Sequence, residues 1–150
     1  MHHITRRTLL GLLPMTLFSA ARADAQGTLR VYKDPGCGCC TVWVERLRSE
    51  GFAVTVTEGR DMGPSGQKFV VPAALRSCHT GIINDRYLAE GHVPPADIKR
   101  MLKEQPMVLG LAVPGMPIGS PGMEVPGVKP QAYQVIAFTR DGKTSVFASH

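Results

Sequence analysis

The chain has 150 residues, of which 17 are Lys or Arg and 12 are Asp or Glu, giving a formal net charge of +5. This length suits one compact domain with a real core, so the four cysteines are not required for a small fold to hold together. Without the first 23 residues the chain has 14 Lys or Arg and 12 Asp or Glu, a net charge of +2. A charge this small does not indicate nucleic-acid binding.

The first 23 residues are predicted to be a cleaved export signal. The pair Arg6-Arg7 precedes an apolar run over residues 9–21, and small residues follow in the A-x-A form from Ala21 to Ala25. The apolar run is too short to serve well as a membrane span. The arginine pair resembles a twin-arginine signal; an ordinary secretion signal with two arginines is the alternative. We therefore expect residues 24–150 to form a single periplasmic domain with no stable membrane span.

The first half of this domain is predicted to be β-α-β. Residues 29–33 alternate and are rich in strand formers, and residues 34–39 form a loop. A helix is expected over residues 40–50, ended by Gly51, because four apolar residues recur there at i, i+3, i+4 and i+7: Cys40, Trp43, Val44 and Leu47. Residues 52–57 read as a second strand, parallel to the first and joined to it by a right-handed crossover.

The second half is predicted to be β-β-α, followed by an addition. A polar loop over 59–68 and a short helix over 71–76 precede a hairpin whose strands, 80–83 and 86–90, flank Asn84-Asp85. A helix follows over 94–104. Residues 110–130 contain five Gly and five Pro, which indicates irregular backbone, and residues 134–139 and 144–148 form a last hairpin. The order βαβ then ββα predicts an α/β, thioredoxin-like fold with a Pro/Gly-rich loop and a C-terminal β-hairpin added.

Three cysteines lie together in "DPGCGCCTVW", at the predicted turn from strand to helix; we call residues 37–40 the cysteine turn. Unpaired N–H groups at a helix N-terminus stabilise thiolates, the reactive form of cysteine and its metal-binding form. Cys37 and Cys40 have the C-x-x-C spacing of a redox couple and are the redox candidates. Cys39 adds a third thiol that would disturb such a couple, whereas several thiolates at one turn suit soft metal ions.

Cys78, in "RSCHTGI", directly precedes the predicted third strand. In thioredoxin-like folds the loop entering that strand faces the C-x-x-C turn and normally carries a cis-proline. Here Ser77, Cys78 and His79 stand there instead. We expect Cys78 to complete a four-sulfur site, although a buried structural cysteine or a simple disulfide would also explain it.

Several further residues could supply metal ligands. Met116 and Met123 flank the Pro/Gly-rich loop and offer thioethers, but methionine is also a common core filler. His92, in "AEGHVPP", and His79 could ligate through a neutral imidazole or orient another ligand. A histidine satisfied by loop hydrogen bonds is the plainer explanation of His92.

Four stretches in order resemble the CopG-like family of periplasmic copper-resistance proteins: "YKDPGCGCCTVWVERLRSEGF", "VPAALRSCHT", "YLAEGHVPPADIKRML" and "GLAVPGMPIGSPGME". The resemblance implies a thioredoxin-like fold whose cysteines, matching Cys37, Cys39, Cys40 and Cys78, hold a multi-copper, cysteine-bridged Cu(I) cluster. It also implies a role in copper tolerance, with a copper oxidoreductase activity as one form of it. One departure is "EGRDMGPSGQKFVVP", which has more Gly and Pro than the helical stretch expected there.

Three functions remain open at this stage. The leading one is a periplasmic protein that sequesters Cu(I) on four thiolates and could cycle it to Cu(II). The second is a thiol–disulfide oxidoreductase that uses Cys37 and Cys40. The third is a carrier of a single Cu(I) that docks on an efflux system or a copper chaperone, and an iron–sulfur cluster is a distant fourth. Copper is the expected cargo in the first and third.

Overall fold

A computed structural model describes residues 26–66 and 68–150; the predicted export signal lies outside these residues. Seven strands form one mixed sheet in the order β2-β1-β3-β4-β5-β6-β7. The strands are β1 (Thr28–Lys33), β2 (Ala53–Glu58), β3 (His79–Ile83), β4 (Tyr87–Gly91), β5 (Gly110–Val113), β6 (Gln134–Phe138) and β7 (Thr144–Ser149). The helices are α1 (Gly38–Ser49), the single turn α2 (Gly63–Gly66) and α3 (Pro95–Glu104).

The β1-α1-β2 unit forms as predicted. β1 buries every second residue, and β2 pairs with it in parallel. The apolar positions of α1 that were predicted to face the core are all buried: Cys40, Trp43, Val44 and Leu47. The chain turns sharply after the helix because Gly51 adopts a φ of +90°, a conformation that costs glycine little.

The middle of the chain is mostly irregular, as its composition indicates. Only α2 and a 3₁₀ turn at Ala73–Leu75 interrupt the connection from β2 to β3. Phe69, Val71 and Leu75 nevertheless cover one face of the sheet, packing with Ile82, Leu88 and Phe138. Of the short helix predicted over 71–76, only residues 73–75 are helical, and they form a 3₁₀ turn.

The predicted hairpin and second helix are both present. β3 and β4 are antiparallel, and Asn84 and Asp85 between them have φ values of 47° and 55°, which Asn and Asp tolerate better than most residues. α3 packs into the same apolar core as α1, through Ile98 and Met101. Both long helices therefore cover the face of the sheet opposite the 3₁₀ turn.

The Pro/Gly-rich segment corrects one expectation. Residues 110–113, predicted as irregular, form β5, which pairs in parallel with β4 and antiparallel with β6. All four residues are buried, so this strand is fixed by burial on both faces rather than by its composition. The last hairpin, β6 and β7, is confirmed. Within the described ranges, no helix combines the length and apolarity that crossing a membrane requires.

Candidate metal centre

The cysteine turn lies where the chain leaves β1 and enters α1. Cys37 directly precedes the helix, and its N–H donates to the carbonyl of Asp34 at 3.2 Å. Cys39 and Cys40 therefore occupy the first helical turn, where unpaired backbone N–H groups favour a negatively charged sulfur. Cys37 and Cys40 are joined by a disulfide, and the thiols of Cys39 and Cys78 are free.

Cys78 closes over the cysteine turn from the start of β3. Its carbonyl accepts a hydrogen bond from the Asp34 N–H at 3.0 Å, which ties the two loops together. Its Sγ lies 3.2 Å from the Sγ of Cys40, while those of Cys37 and Cys39 lie 3.4 Å apart. All four sulfur atoms are within 4.8 Å of one another. The fold thus brings together the four cysteines that the sequence grouped as one site.

Three of the further candidate ligands also reach Cys78. Its Sγ lies 3.5 Å from Nδ1 of His79, 4.0 Å from Nε2 of His92 and 3.6 Å from Sδ of Met116. Met123 belongs to the same loop as Met116 but is held by backbone hydrogen bonds with Gly119 and Ser120. A thioether contact to the cysteines is seen for Met116, and ligation by Met123 stays a prediction.

The Pro/Gly-rich loop packs directly on the site. The Pro121 carbonyl accepts a hydrogen bond from Nδ1 of His92 at 2.7 Å. Gly122, with a φ of +89°, comes so close to α1 that a Cβ there would lie 2.8 Å from the Cys39 carbonyl oxygen. Only glycine allows this approach at that φ. The same loop carries Met116, whose Sδ lies 3.6 Å from the Cys78 sulfur.

A buried carboxylate holds the Cys78 loop in place, and sequence analysis missed it. Glu90, fully buried on β4, accepts hydrogen bonds from the Ser77 N–H at 2.6 Å and from the Thr80 hydroxyl. Arg60 contacts both the Ser77 carbonyl and, at 3.5 Å, the Glu90 carboxylate. A glutamate within the otherwise apolar strand "YLAEG" was the available signal, because a buried charge needs partners that satisfy it.

Burial sets the protonation of the groups around Cys78. Burial raises the pKa of the Cys78 thiol, with the nearby Cys39 adding to the rise. Burial, reinforced by His92, lowers the pKa of His79 to about 3, and burial also lowers the pKa of His92. Both imidazoles are therefore neutral at neutral pH, which is the form that ligates metal ions.

This arrangement supports two kinds of chemistry. Four cysteine sulfurs, a thioether and neutral imidazoles form a donor set for a soft or borderline metal ion. The Cys78 thiolate is also within reach of the disulfide: attack on the sulfur of Cys40 would form a Cys78–Cys40 bond and release Cys37 as thiolate. The two chemistries belong to different redox states of one site, since metal binding by all four cysteines needs free thiolates and exchange needs the disulfide.

The chain is similar to proteins of one kind. The sequence model of one protein family, described as "Protein of unknown function, DUF411", matches residues 75–123. This range includes Cys78, His92 and Met116. No curated protein matches the chain. The solved structure of copper resistance protein CopG, form 1, is 46% identical, with a TM-score of 0.73 over 82% of this chain and 96% of its own. Form 2 of that protein has the same identity and TM-score over 83% of this chain and 98% of its own.

Proposed function

The chain belongs to the family of copper resistance protein CopG, and from this membership we propose that it confers copper tolerance by holding several Cu(I) ions on Cys37, Cys39, Cys40 and Cys78. The proposal is carried by one observation, the packing of all four sulfur atoms within 4.8 Å of one another. Thiolates are soft ligands that select Cu(I), and sulfurs this close can bridge neighbouring ions.

The proposal includes a thioredoxin-like fold for the core of the protein. The strand order β2-β1-β3-β4, with β3 antiparallel to β1, supports this assignment, as do α1 after the first strand and α3 after the fourth. The departures are a single helical turn in place of a full middle helix, and the extension of the sheet by β5, β6 and β7. A cysteine turn at the first strand-to-helix junction fits the same assignment.

Loading four thiolates requires the Cys37–Cys40 disulfide to open. Reduction takes two electrons and two protons from a thiol reductant and gives two thiols, which lose their protons when Cu(I) binds. The reverse reaction gives the site a redox capacity. Closing the disulfide releases two electrons, and these would reduce two Cu(II) ions to Cu(I). A copper oxidoreductase activity is therefore a further part of the proposal.

The proposed location is the periplasm, reached after removal of residues 1–23. The basic start, short apolar run and A-x-A sites of that segment support export. A periplasmic copper chaperone or efflux system as partner stays a prediction from the family resemblance.

A second candidate function is thiol–disulfide exchange by Cys37 and Cys40. The disulfide between these two residues favours it, as does the position of Cys40 at the first turn of α1. In this alternative Cys39 and Cys78 are dispensable, whereas the copper proposal needs all four sulfurs.

The deciding experiment is an anaerobic Cu(I) titration of reduced protein, residues 24–150, against a competing chelator. The Cys78→Ser variant is measured in parallel, with Met107→Leu as a control because Met107 is 93% exposed and lines a different part of the surface. We expect wild type and the control to take up more than one Cu(I) per chain cooperatively. Cys78→Ser should lose that capacity, because three sulfurs from the cysteine turn cannot close the site.

Weak Cu(I) binding that Cys78→Ser leaves unchanged would overturn the proposal. The rate of disulfide exchange with a dithiol would then be the quantity to measure, with Cys39→Ser and Cys78→Ser expected to match wild type if Cys37 and Cys40 act alone.

A further inference from the structure

The closed disulfide leaves two free thiols in different surroundings. Cys39 faces Cys37, with 3.4 Å between the sulfurs. Cys78 lies 3.2 Å from the Cys40 sulfur of the disulfide and also faces nitrogen and thioether donors. These donors are His79, His92 and Met116, here called the Cys78 group together with Cys78 itself. These donors do not include the two sulfurs that the disulfide consumes.

His92 is oriented as a metal ligand would be. Its Nδ1 donates to the Pro121 carbonyl at 2.7 Å, so the proton sits on Nδ1 and the lone pair on Nε2. That Nε2 points at the Cys78 sulfur from 4.0 Å. Ligating histidines usually donate their second N–H to a carbonyl in this way, which fixes both the tautomer and the ring.

His79 is buried without full hydrogen bonding. Its side chain is completely inaccessible to solvent, its Nδ1 lies 3.5 Å from the Cys78 sulfur, and its Nε2 has no hydrogen-bond partner among the described residues. Nδ1 is therefore the His79 nitrogen that a metal ion beside Cys78 would meet. A donor atom of each histidine and the Cys78 sulfur all lie within 4.8 Å of one another.

Met116 completes the group from the open side. It is 39% exposed, lies at the tip of the turn after β5, and directs its Sδ to within 3.6 Å of the Cys78 sulfur. Met116 is thus the most exposed member of the group, whereas both histidines are fully buried.

We infer that, while the Cys37–Cys40 disulfide is closed, Cys78, His79, His92 and Met116 form a second site, which shares Cys78 with the four-cysteine site and holds a single copper ion, including Cu(II). A thiolate sulfur and an imidazole nitrogen on one tetrahedral ion are about 3.6 Å apart. The Cys78 separations of 3.5 Å to His79 and 4.0 Å to His92 bracket that value. One thiolate, two imidazoles and a thioether are the donors of mononuclear copper sites that accept both Cu(II) and Cu(I).

This site deepens the proposed function, since it takes the same cargo on a shared sulfur. The redox state of the cysteine turn selects which site exists. With the disulfide open, Cys78 joins three other thiolates that favour several Cu(I) ions. With it closed, Cys78 has nitrogen and thioether partners that suit one ion.

The test uses protein in which the disulfide is intact and Cys39 is replaced, Cys39→Ser, so that Cys78 is the one remaining thiol. Cu(II) is added to one equivalent, and visible absorption and electron paramagnetic resonance spectra are recorded. We expect one Cu(II) per chain with an intense thiolate-to-Cu(II) charge-transfer band. Adding Cys78→Ser should abolish the band, and adding His92→Gln should lower the Cu(II) affinity at least about tenfold.

Met116→Leu keeps the proposal testable if His92→Gln fails to fold, because Met116 is partly exposed. Met116→Leu should shift the charge-transfer band, and Met107→Leu should leave it unchanged. A Cu(II) spectrum without a thiolate band, or one that Cys78→Ser does not alter, would overturn the inference. Because the disulfide consumes two of the four sulfurs, this result is independent of the Cu(I) titration of reduced protein.

Discussion

The two halves of the candidate metal centre are built in different ways. The cysteine turn is four consecutive residues at the start of α1, so its three sulfurs are near one another whenever that helix forms. The Cys78 group comes from three separate segments: the start of β3, the loop after β4 and the turn after β5. Its geometry depends on contacts between parts of the chain that are distant in sequence. A local motif is therefore robust, whereas an assembled one needs dedicated supports.

Three residues outside the donor set act as those supports. Trp43 packs its ring 4.3 Å from that of His79, Glu90 holds the Ser77 N–H, and Gly122 lets the Pro/Gly-rich loop touch α1. Changes at these residues should disturb the Cys78 group; of the three, Gly122 also contacts the cysteine turn, at the Cys39 carbonyl. The predictions below test that dependence.

Trp43→Phe should have the largest effect. It removes the indole N–H that donates to the Val93 carbonyl at 2.9 Å, and it opens space beside His79. The loss of a buried hydrogen bond and of packing volume should lower the free energy of unfolding by about 3 kcal/mol, measured by denaturant unfolding. Leu47→Met in the same helix conserves volume and should cost less than about 1.5 kcal/mol. An unchanged Cu(II) affinity in Trp43→Phe would show that the Cys78 group does not rely on this ring.

Glu90→Leu should rank second, at about 2 to 3 kcal/mol, because it leaves the Ser77 N–H and the Thr80 hydroxyl without their buried acceptor. The loop that carries Cys78 should loosen, so the Cys78 thiol in a Cys39→Ser background should react several times faster with an alkylating reagent. Glu90→Gln keeps an acceptor oxygen and should stay near wild type. If both variants alkylate at the wild-type rate, Glu90 does not position Cys78.

Gly122→Ala should cost about 2 kcal/mol, part from the positive φ and part from the close approach to the Cys39 carbonyl. Gly127→Ala separates the two causes, since Gly127 also has a positive φ, +77°, but open space around it. We expect Gly122→Ala alone to weaken Cu(II) binding, as measured by competition with a chelator. Equal losses of stability in the two variants would mean that the loop contact contributes little.

Asp85→Asn should have the smallest effect. The Arg30 guanidinium, 2.5 Å away, lowers the pKa of Asp85, but the pair is at the surface and screened by solvent. Asn accepts the positive φ of this turn position equally well. Because the pKa is lowered in the fold, the pair stabilises above the ordinary Asp value, and its contribution is lost as the pH falls through the folded pKa. The difference from wild type in unfolding midpoint should therefore be small at pH 7 and vanish at strongly acidic pH.

The same contrast explains what the sequence could predict. The cysteine turn and the buried face of α1 follow from residue spacing, so both were found from short stretches. Cys78 was found because it precedes the third strand, and in thioredoxin-like folds the loop entering that strand faces the C-x-x-C turn. The orientation of His92 could not be predicted, because it depends on the Pro121 carbonyl, 29 positions away.

The fold shows the same division. Elements with clear periodicity or turn residues were predicted within a residue or two of their observed ends. β5 was missed because its four residues sit at the edge of a Gly/Pro-rich segment, and only its pairing with β4 and β6 identifies it as a strand. Glu90 was missed because a strand pattern shows which residues alternate and not which distant groups contact them. Its carboxylate is satisfied by the Ser77 N–H and by Arg60, both on the connection between β2 and β3.

The ring of Trp43 next to His79 has a practical consequence. It is the chain's single tryptophan, and His79 lies 3.5 Å from the Cys78 sulfur, so one indole accounts for the tryptophan fluorescence and sits beside the donors. Emission from the unmodified protein therefore monitors this part of the molecule alone. Paramagnetic Cu(II) bound at Cys78 would quench the Trp43 fluorescence more strongly than a diamagnetic ion would. Copper binding and the oxidation state of the bound ion can therefore be followed in real time without an added dye.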